Sequence, residues 1–189
     1  MLLSLTACAD KKASFNSVDI TGATYAQDFS LPDADGKTRT IKDFAGKVVV
    51  VFFGFTQCPD VCPTTLAEVV SVKKALEKNK AGDGDKLQAV FITIDPERDS
   101  AAVLKGYVGN FDPSFVALRA ETPEQLAAVA KDFKIYYKKS EGKSATSYSM
   151  DHTAASYVFD PQGRVRLFTR YGSGVEALTK DIALLLAGK

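Results

Sequence analysis

Cys58 and Cys62 stand four residues apart in the stretch FFGFTQCPDVCPTTL, residues 52 to 66. They follow a long apolar run and open onto a segment with helical spacing. At that separation two thiols share one face of a helical turn. A helix N-terminus also favours anions, and therefore thiolates over thiols. The thiolate is both the nucleophile of disulfide exchange and a ligand for soft metals. The pair is thus suited to redox chemistry, to metal binding, or to both. The chain has one imidazole, His152, in Tyr148-Ser149-Met150-Asp151-His152-Thr153, at the junction between a polar stretch and a strand. It is 90 residues from Cys62 in sequence, so only the fold can bring it near the sulfurs.

The elements that must position these groups are legible in outline. Lys47 to Phe55 is a β-branched and aromatic run, as a strand buried on both faces requires. A helix is expected from about Pro63 to Asn79, carrying Leu66, Val69, Val70 and Leu76 at helical spacing, with Pro63 in the first turn where a missing N–H costs nothing. Leu87 to Ile94 reads as a second buried strand, ended by Asp95-Pro96. Asp99 or Ser100 can cap a helix reaching about Gly109. A short strand at 115–118 precedes a helix opened by Thr122-Pro123. Residues 140 to 151 read as a polar loop. Strands at 153–159 and 165–170 are joined by Asp160-Pro161-Gln162-Gly163, a tight-turn sequence, and a final helix carries Val175, Leu178, Ile182, Leu185 and Leu186. Upstream, Gln27 to Leu31 and Lys37 to Ile41 flank a turn-rich stretch suited to a β-hairpin. A cysteine pair leading from strand into helix in this order points to an α/β, thioredoxin-like fold. That fold would be a central mixed sheet flanked by helices, with an added N-terminal β-hairpin. In such a layout the loop entering the strand after His152 comes close to the cysteines.

Composition bounds the function classes. The 189 residues suffice for one domain with a sizeable core. The formal net charge of +1 argues against a nucleic-acid binder, which would show a basic patch. Lys131, Lys134, Lys138, Lys139 and Lys143 could steer an acidic partner, or form a solvated face. No run approaches the roughly 18 apolar residues that span a bilayer. Any membrane association is expected by lipid anchor only: Leu5-Thr6-Ala7-Cys8, followed by Asp10-Lys11-Lys12, resembles the lipobox at which bacterial lipoproteins are lipidated, here on Cys8. The alternative is an N-terminus in which that cysteine is incidental. The expected organisation is a signal remnant and tether over residues 1–24 and a single domain over 25–189. Export would put the cysteine pair in an oxidising compartment.

Three motifs in order, CPDVCP at 58–63, TIDPERD at 93–99 and MDHTAASYVFDPQG at 150–163, resemble those of the Sco/SenC family. Members of that family are thioredoxin-fold copper proteins that help assemble the binuclear copper centre of cytochrome c oxidase. The resemblance covers roughly residues 25 to 187. It implies copper held by Cys58, Cys62 and His152, and a partner in the copper-bearing oxidase subunit. Other periplasmic copper chaperones or thioredoxin-like reductases would be further partners, and the location would be the periplasmic face of the bacterial cell envelope. Two thiolates and an imidazole suit Cu(I), and Cu(II) if a water or carboxylate completes four-coordination. Structural zinc normally takes four protein ligands, and apart from Cys8, assigned to lipidation, the chain offers no further Cys or His. Asp95 could influence the metal from behind its ligands, or simply end a strand in an Asp-Pro turn. Asp151 could orient His152, or be a solvated loop aspartate. Met150 is expected in packing rather than ligation, and Arg98 with Asp99 in capping and ion pairing. A thiol-disulfide oxidoreductase that keeps a target's cysteines reduced is the competing function. A peroxidase is not supported: the P-x-x-x-T-x-x-C arrangement, counted back from Cys62, meets Pro59 and Phe55 instead.

Overall fold

The computed structural model describes residues 14–140 and 147–189. Along the chain come β1 (Val18–Asp19), β2 (Leu31–Pro32), β3 (Thr38–Arg39), β4 (Val48–Gly54), α1 (Val61–Asn79), β5 (Leu87–Thr93) and α2 (Ala101–Gly109). Then follow β6 (Val116–Leu118), α3 (Pro123–Asp132), β7 (Tyr137–Ser140), β8 (Ser149–His152), β9 (Ala155–Phe159), β10 (Val165–Arg170) and α4 (Val175–Leu186). Six of the strands form one mixed sheet in the order β1-β10-β9-β4-β5-β6. The expected α/β, thioredoxin-like architecture is present.

The apolar run ending in Phe52-Phe53-Gly54 becomes β4, and every one of its residues is buried. Successive side chains of a strand point to opposite faces, so an unbroken apolar run is stable only where both faces are covered. β4 pairs in parallel with β5, from Val48↔Leu87 to Gly54↔Thr93. A parallel neighbour demands a crossover, which α1 supplies. The buried face of α1 carries Cys62, Leu66, Val69, Val72 and Leu76, and the helix packs against α4. On its other side β4 pairs antiparallel with β9, ending at Phe52↔Ser156. The end of β4, the end of β5 and the start of β9 therefore share one end of the sheet. The cysteine loop, Asp95 and the segment just before β9 converge there by topology alone.

Three features differ from expectation. Residues 14–24, assigned to a tether, are partly folded: β1 adds to the sheet edge as Val18↔Phe168 and Asp19↔Leu167. Fully buried Asp181 of α4 holds this segment through the amides of Asn16 and Ser17, each at 2.8 Å. Second, the polar stretch 140–151 is not simply a loop. Ser149–His152 forms β8, paired antiparallel with β7 from Tyr137↔His152 to Ser140↔Ser149. This ribbon stands outside the main sheet, and only Met150 of β8 is buried, so it carries almost no hydrophobic periodicity. Third, α1 begins at Val61 rather than Pro63. The N-terminal hairpin is present but short, β2 with β3, and its Asp33 bridges to Leu118 of β6. It thereby covers a strand edge that would otherwise be open to pairing.

Candidate metal centre

The site is built from the ends of three elements. β4 ends at Gly54, and the chain turns so that the Cys58 amide donates to the Phe55 carbonyl at 3.2 Å. Asp60 precedes the first helical residue but makes no side-chain cap bond. The amide of Cys62 instead donates to Cys58 Sγ at 3.4 Å, so sulfur takes the place of the usual oxygen at a helix N-terminus. The first cysteine is thus fixed by the helix that carries the second. Cys58 is half-buried, while Cys62 is fully buried; both are free thiols.

His152 ends β8. Its Nδ1 lies 3.1 Å from the Thr153 carbonyl oxygen. A carbonyl only accepts, so Nδ1 carries the proton and Nε2 presents its lone pair. That lone pair faces Cys62, with Nε2 3.8 Å from Sγ. The rings of Phe52 and Phe55 meet the imidazole edge-on, at centroid distances of 6.1 and 6.0 Å. Burial lowers the His152 pKa below its ordinary value, against the opposing effects of the Thr153 carbonyl and the Asp151 charge. The imidazole is therefore a neutral, ligand-ready base at neutral pH.

One ligand atom from each of Cys58, Cys62 and His152 lies within 4.8 Å of the others. Donors bonded to a common ion at about 2.0–2.3 Å stand roughly 3.3–4 Å apart, so the separation of Cys62 and His152 already fits a shared metal. The donor set is soft and three-fold, which fits Cu(I) better than structural zinc. Burial pushes the Cys62 thiol up strongly, with a further push from the hydrogen bond to Cys58 and from Asp99. A cation arriving in this pocket must displace that proton.

Several residues that sequence reasoning did not place at the site shape it. Gly54 is one: a Cβ there would lie 2.8 Å from Cys62 Sγ. Asp99, fully buried, does not cap α2, a role taken by Ser100. It accepts from the amide and hydroxyl of Thr56 and from the hydroxyl of Thr93, so it ties the cysteine loop to β5. The hydroxyl of Tyr107 is buried without a partner among the described residues, and the two cysteines push its pKa up after burial does.

The remaining expected residues separate. Asp95 is buried and engages Arg98 and the Tyr148 hydroxyl; no bond from it reaches a cysteine or His152. Asp151 is exposed and accepts from Ser140 Oγ at 2.7 Å. The orienting partner of His152 is the Thr153 carbonyl, one residue further on. Met150 packs in the core, as expected. Of the lysine cluster, Lys134 lies over the Tyr25 ring and Lys139 over the Tyr148 ring. Cys8 and Lys143 lie outside the described residues.

With this geometry in view, comparison with known proteins is informative. The SCO1/SenC family model matches residues 18–187. The chain belongs to the SCO1/SenC family. The mouse mitochondrial protein SCO2 homolog is 41% identical over 144 residues, 76% of this chain and 54% of that protein. The chain spans about half the length of the curated SCO relatives it matches. Bradyrhizobium japonicum ScoI, solved with copper bound, is 39% identical with a TM-score of 0.72, covering 84% of this chain and 97% of that one. Arabidopsis thaliana ScoI, also solved with copper bound, is 32% identical with a TM-score of 0.77, covering 86% and 98%. SCO1/SenC relatives thus occur in bacteria and in mitochondria. Among the described residues, no helix is long and apolar enough to cross a membrane.

Proposed function

We propose that this SCO1/SenC protein binds copper through Cys58, Cys62 and His152 and delivers it to the copper-bearing subunit of cytochrome c oxidase, where it assists assembly of the binuclear centre. The observation that carries the reading is the convergence of three ligand atoms within 4.8 Å, two from the turn into α1 and one from β8, 90 residues further along the chain. Low coordination favours Cu(I) as the cargo, and Cu(II) would need an added water or carboxylate. Cys58 is half-buried at the edge of the site, so a partner's own ligands have a route by which to displace it. Copper bound to family members solved in that state supports the choice of metal. Titration of the reduced protein against a Cu(I) competitor tests it. One-to-one binding that weakens in Cys58→Ser, Cys62→Ser and His152→Ala is the expected result, and indifference to either cysteine substitution would sink the assignment.

The proposal places the protein in the bacterial cell envelope, facing the periplasm and held by a lipid on Cys8. The lipobox-like Leu5-Thr6-Ala7-Cys8 supports this. Loss of labelled-fatty-acid incorporation in Cys8→Ser is expected, and unchanged incorporation would refute it.

The unequal exposure of the two thiols favours a second activity on the same residues. Cys58 is accessible and Cys62 shielded, an arrangement suited to attack by one sulfur and resolution by the other. The Cys58 thiolate would open a target disulfide and form a mixed disulfide. Cys62, passing its proton to the neutral His152 Nε2 3.8 Å away, would then close the Cys58–Cys62 bond, releasing the target as a dithiol. Because the oxidised pair cannot ligate copper, the two activities exclude each other in one molecule at one time. A reduction potential too high to reduce a target disulfide would remove this second activity.

A further inference from the structure

We propose that Arg98 and Tyr148 form a latch that positions the His152 ribbon over the cysteine loop, a role that rests on the copper-binding reading above. Three segments meet at the Arg98 guanidinium. Nε pairs with the Asp95 carboxylate at the end of β5. Nη1 donates to Gln57 Oε1 at 3.0 Å, on the residue beside Cys58, and to the Tyr148 carbonyl at 2.8 Å, at the start of β8. The plane of the guanidinium also lies over the Tyr148 ring, 3.6 Å from its centroid. Lys139 of β7 covers the other face of that ring at 3.7 Å, and the Tyr148 hydroxyl donates to Asp95 Oδ1 at 2.8 Å. One aromatic side chain is therefore held on both faces and at its tip. Arg98 Nη2 is buried with no partner among the described residues, and the other nitrogens hold the guanidinium in place.

The latch matters because of what the ribbon lacks. β7 and β8 pair only with each other, and an isolated two-stranded ribbon is marginally stable in water. Its position has to come from contacts with the rest of the fold: Met150 in the core, the Lys139–Glu97 pair, and what holds its two ends. At the His152 end the two strands stay tied to each other, the Thr153 amide donating to the Tyr136 carbonyl and the Tyr136 amide to Thr153 Oγ1, each at 3.0 Å, and the chain runs on into β9 of the main sheet. At the other end stands Tyr148. Without it the ribbon keeps Met150, the Lys139–Glu97 pair and the passage into β9, and the backbone that carries His152 loosens relative to sulfurs whose own positions α1 and Asp99 dictate. Tyr148 and Arg98 touch no ligand atom; they act through His152, and their release would let the histidine leave before the cysteines do.

Tyr148→Leu removes the stack and the hydroxyl and leaves comparable bulk. In the reduced, metal-free full chain, amide hydrogen exchange over Ser149–His152 is expected to speed up about tenfold, with β4 and β5 unchanged. Unchanged exchange in the ribbon overturns the latch, whatever copper does. In the Cu(I) competition assay the same substitution is expected to weaken binding about tenfold when His152 is present and to have no effect in a His152→Ala background. An equal loss in both backgrounds overturns the positioning role, since it would mean an effect on the cysteines or on the whole fold. If the unmodified chain fails to bind Cu(I), the copper reading falls while the exchange measurement still decides the latch. Should Tyr148→Leu not fold, Tyr148→Phe, which loses only the hydroxyl's bonds to Asp95 and, at 3.5 Å, to Glu97, is expected to give a smaller change in the same direction, and no change would refute the latch.

Discussion

Gly54→Ala is the sharpest test of how the sheet positions the metal site. The added Cβ would meet Cys62 Sγ at 2.8 Å, Phe91 Cε2 at 2.8 Å and Phe52 Cε1 at 2.9 Å. Ordinary contact begins at 3.4 Å, so the closest atoms fall short by 0.6 Å on two sides at once. None of these neighbours has room to retreat, for Cys62 and Phe91 are fully buried and Phe52 is 2% exposed. Gly54 itself is held in the ladder, opposite Thr93 and accepting from the Ile94 amide at 2.8 Å. Overpacking of this kind typically costs about 1–3 kcal/mol. Part of that strain must appear as movement of Cys62, the neighbour that lies at the end of a helix rather than between strands. Denaturant unfolding should show a loss in that range, and Cu(I) competition should show binding weakened by about tenfold or more. A Gly54→Ala protein with unchanged stability and unchanged Cu(I) affinity would refute the claim that backbone proximity at this residue sets the position of Cys62.

Further outcomes follow from burial and charge. Because burial holds the Cys62 thiol protonated at neutral pH, Cu(I) must expel that proton, and apparent affinity should rise about tenfold per pH unit from this group alone; a flat profile between pH 7 and 8 would contradict it. His152 has a folded pKa below its ordinary 6.5, so the unfolded chain takes up the proton first. Its contribution to stability is then complete above pH 6.5 and lost as pH falls toward the folded value. Wild type and His152→Ala should therefore converge in stability as acid is added through that window. Alkylation of the reduced protein, mapped by mass, should modify Cys58 well before Cys62, given their unequal exposure. Asp181→Ala removes the acceptor for the amides of Asn16 and Ser17; a stability loss of about 2 kcal/mol and fast exchange at Val18–Asp19 are expected, and intact protection of β1 would count against its anchoring by Asp181.

Much of this was legible in the amino-acid order. The run at 47–55 could only be a strand covered on both faces, and the spacing of Leu66, Val69 and Leu76 only a helix behind it. Their succession determined a parallel crossover, and with it the placing of a cysteine pair at a strand-to-helix turn. These are local consequences of side-chain periodicity, so they need no knowledge of distant residues. The candidate ligands were likewise readable, because the chain is so poor in thiols and imidazoles.

The tertiary structure decided what depends on neighbours far apart in sequence. The ribbon of β7 and β8 escaped notice because it lies outside the main sheet, and Lys138, Lys139, Ser149 and Asp151 show no apolar alternation. For Asp95 and Asp151 the sequence left two roles open, support of the site or an ordinary turn or loop aspartate. Folding gave the first to Arg98 and Tyr148 and the second to Ser140, and the orientation of His152 fell to a backbone carbonyl that no side-chain pattern encodes. β1 was hidden by polar flanks and by an anchor, Asp181, 165 residues from Asn16. Gly54 gave no signal either, since a glycine near a strand end is common. It is required here because a sulfur and an aromatic ring close onto the same point of backbone, and that proximity exists only once α1 has packed against the sheet.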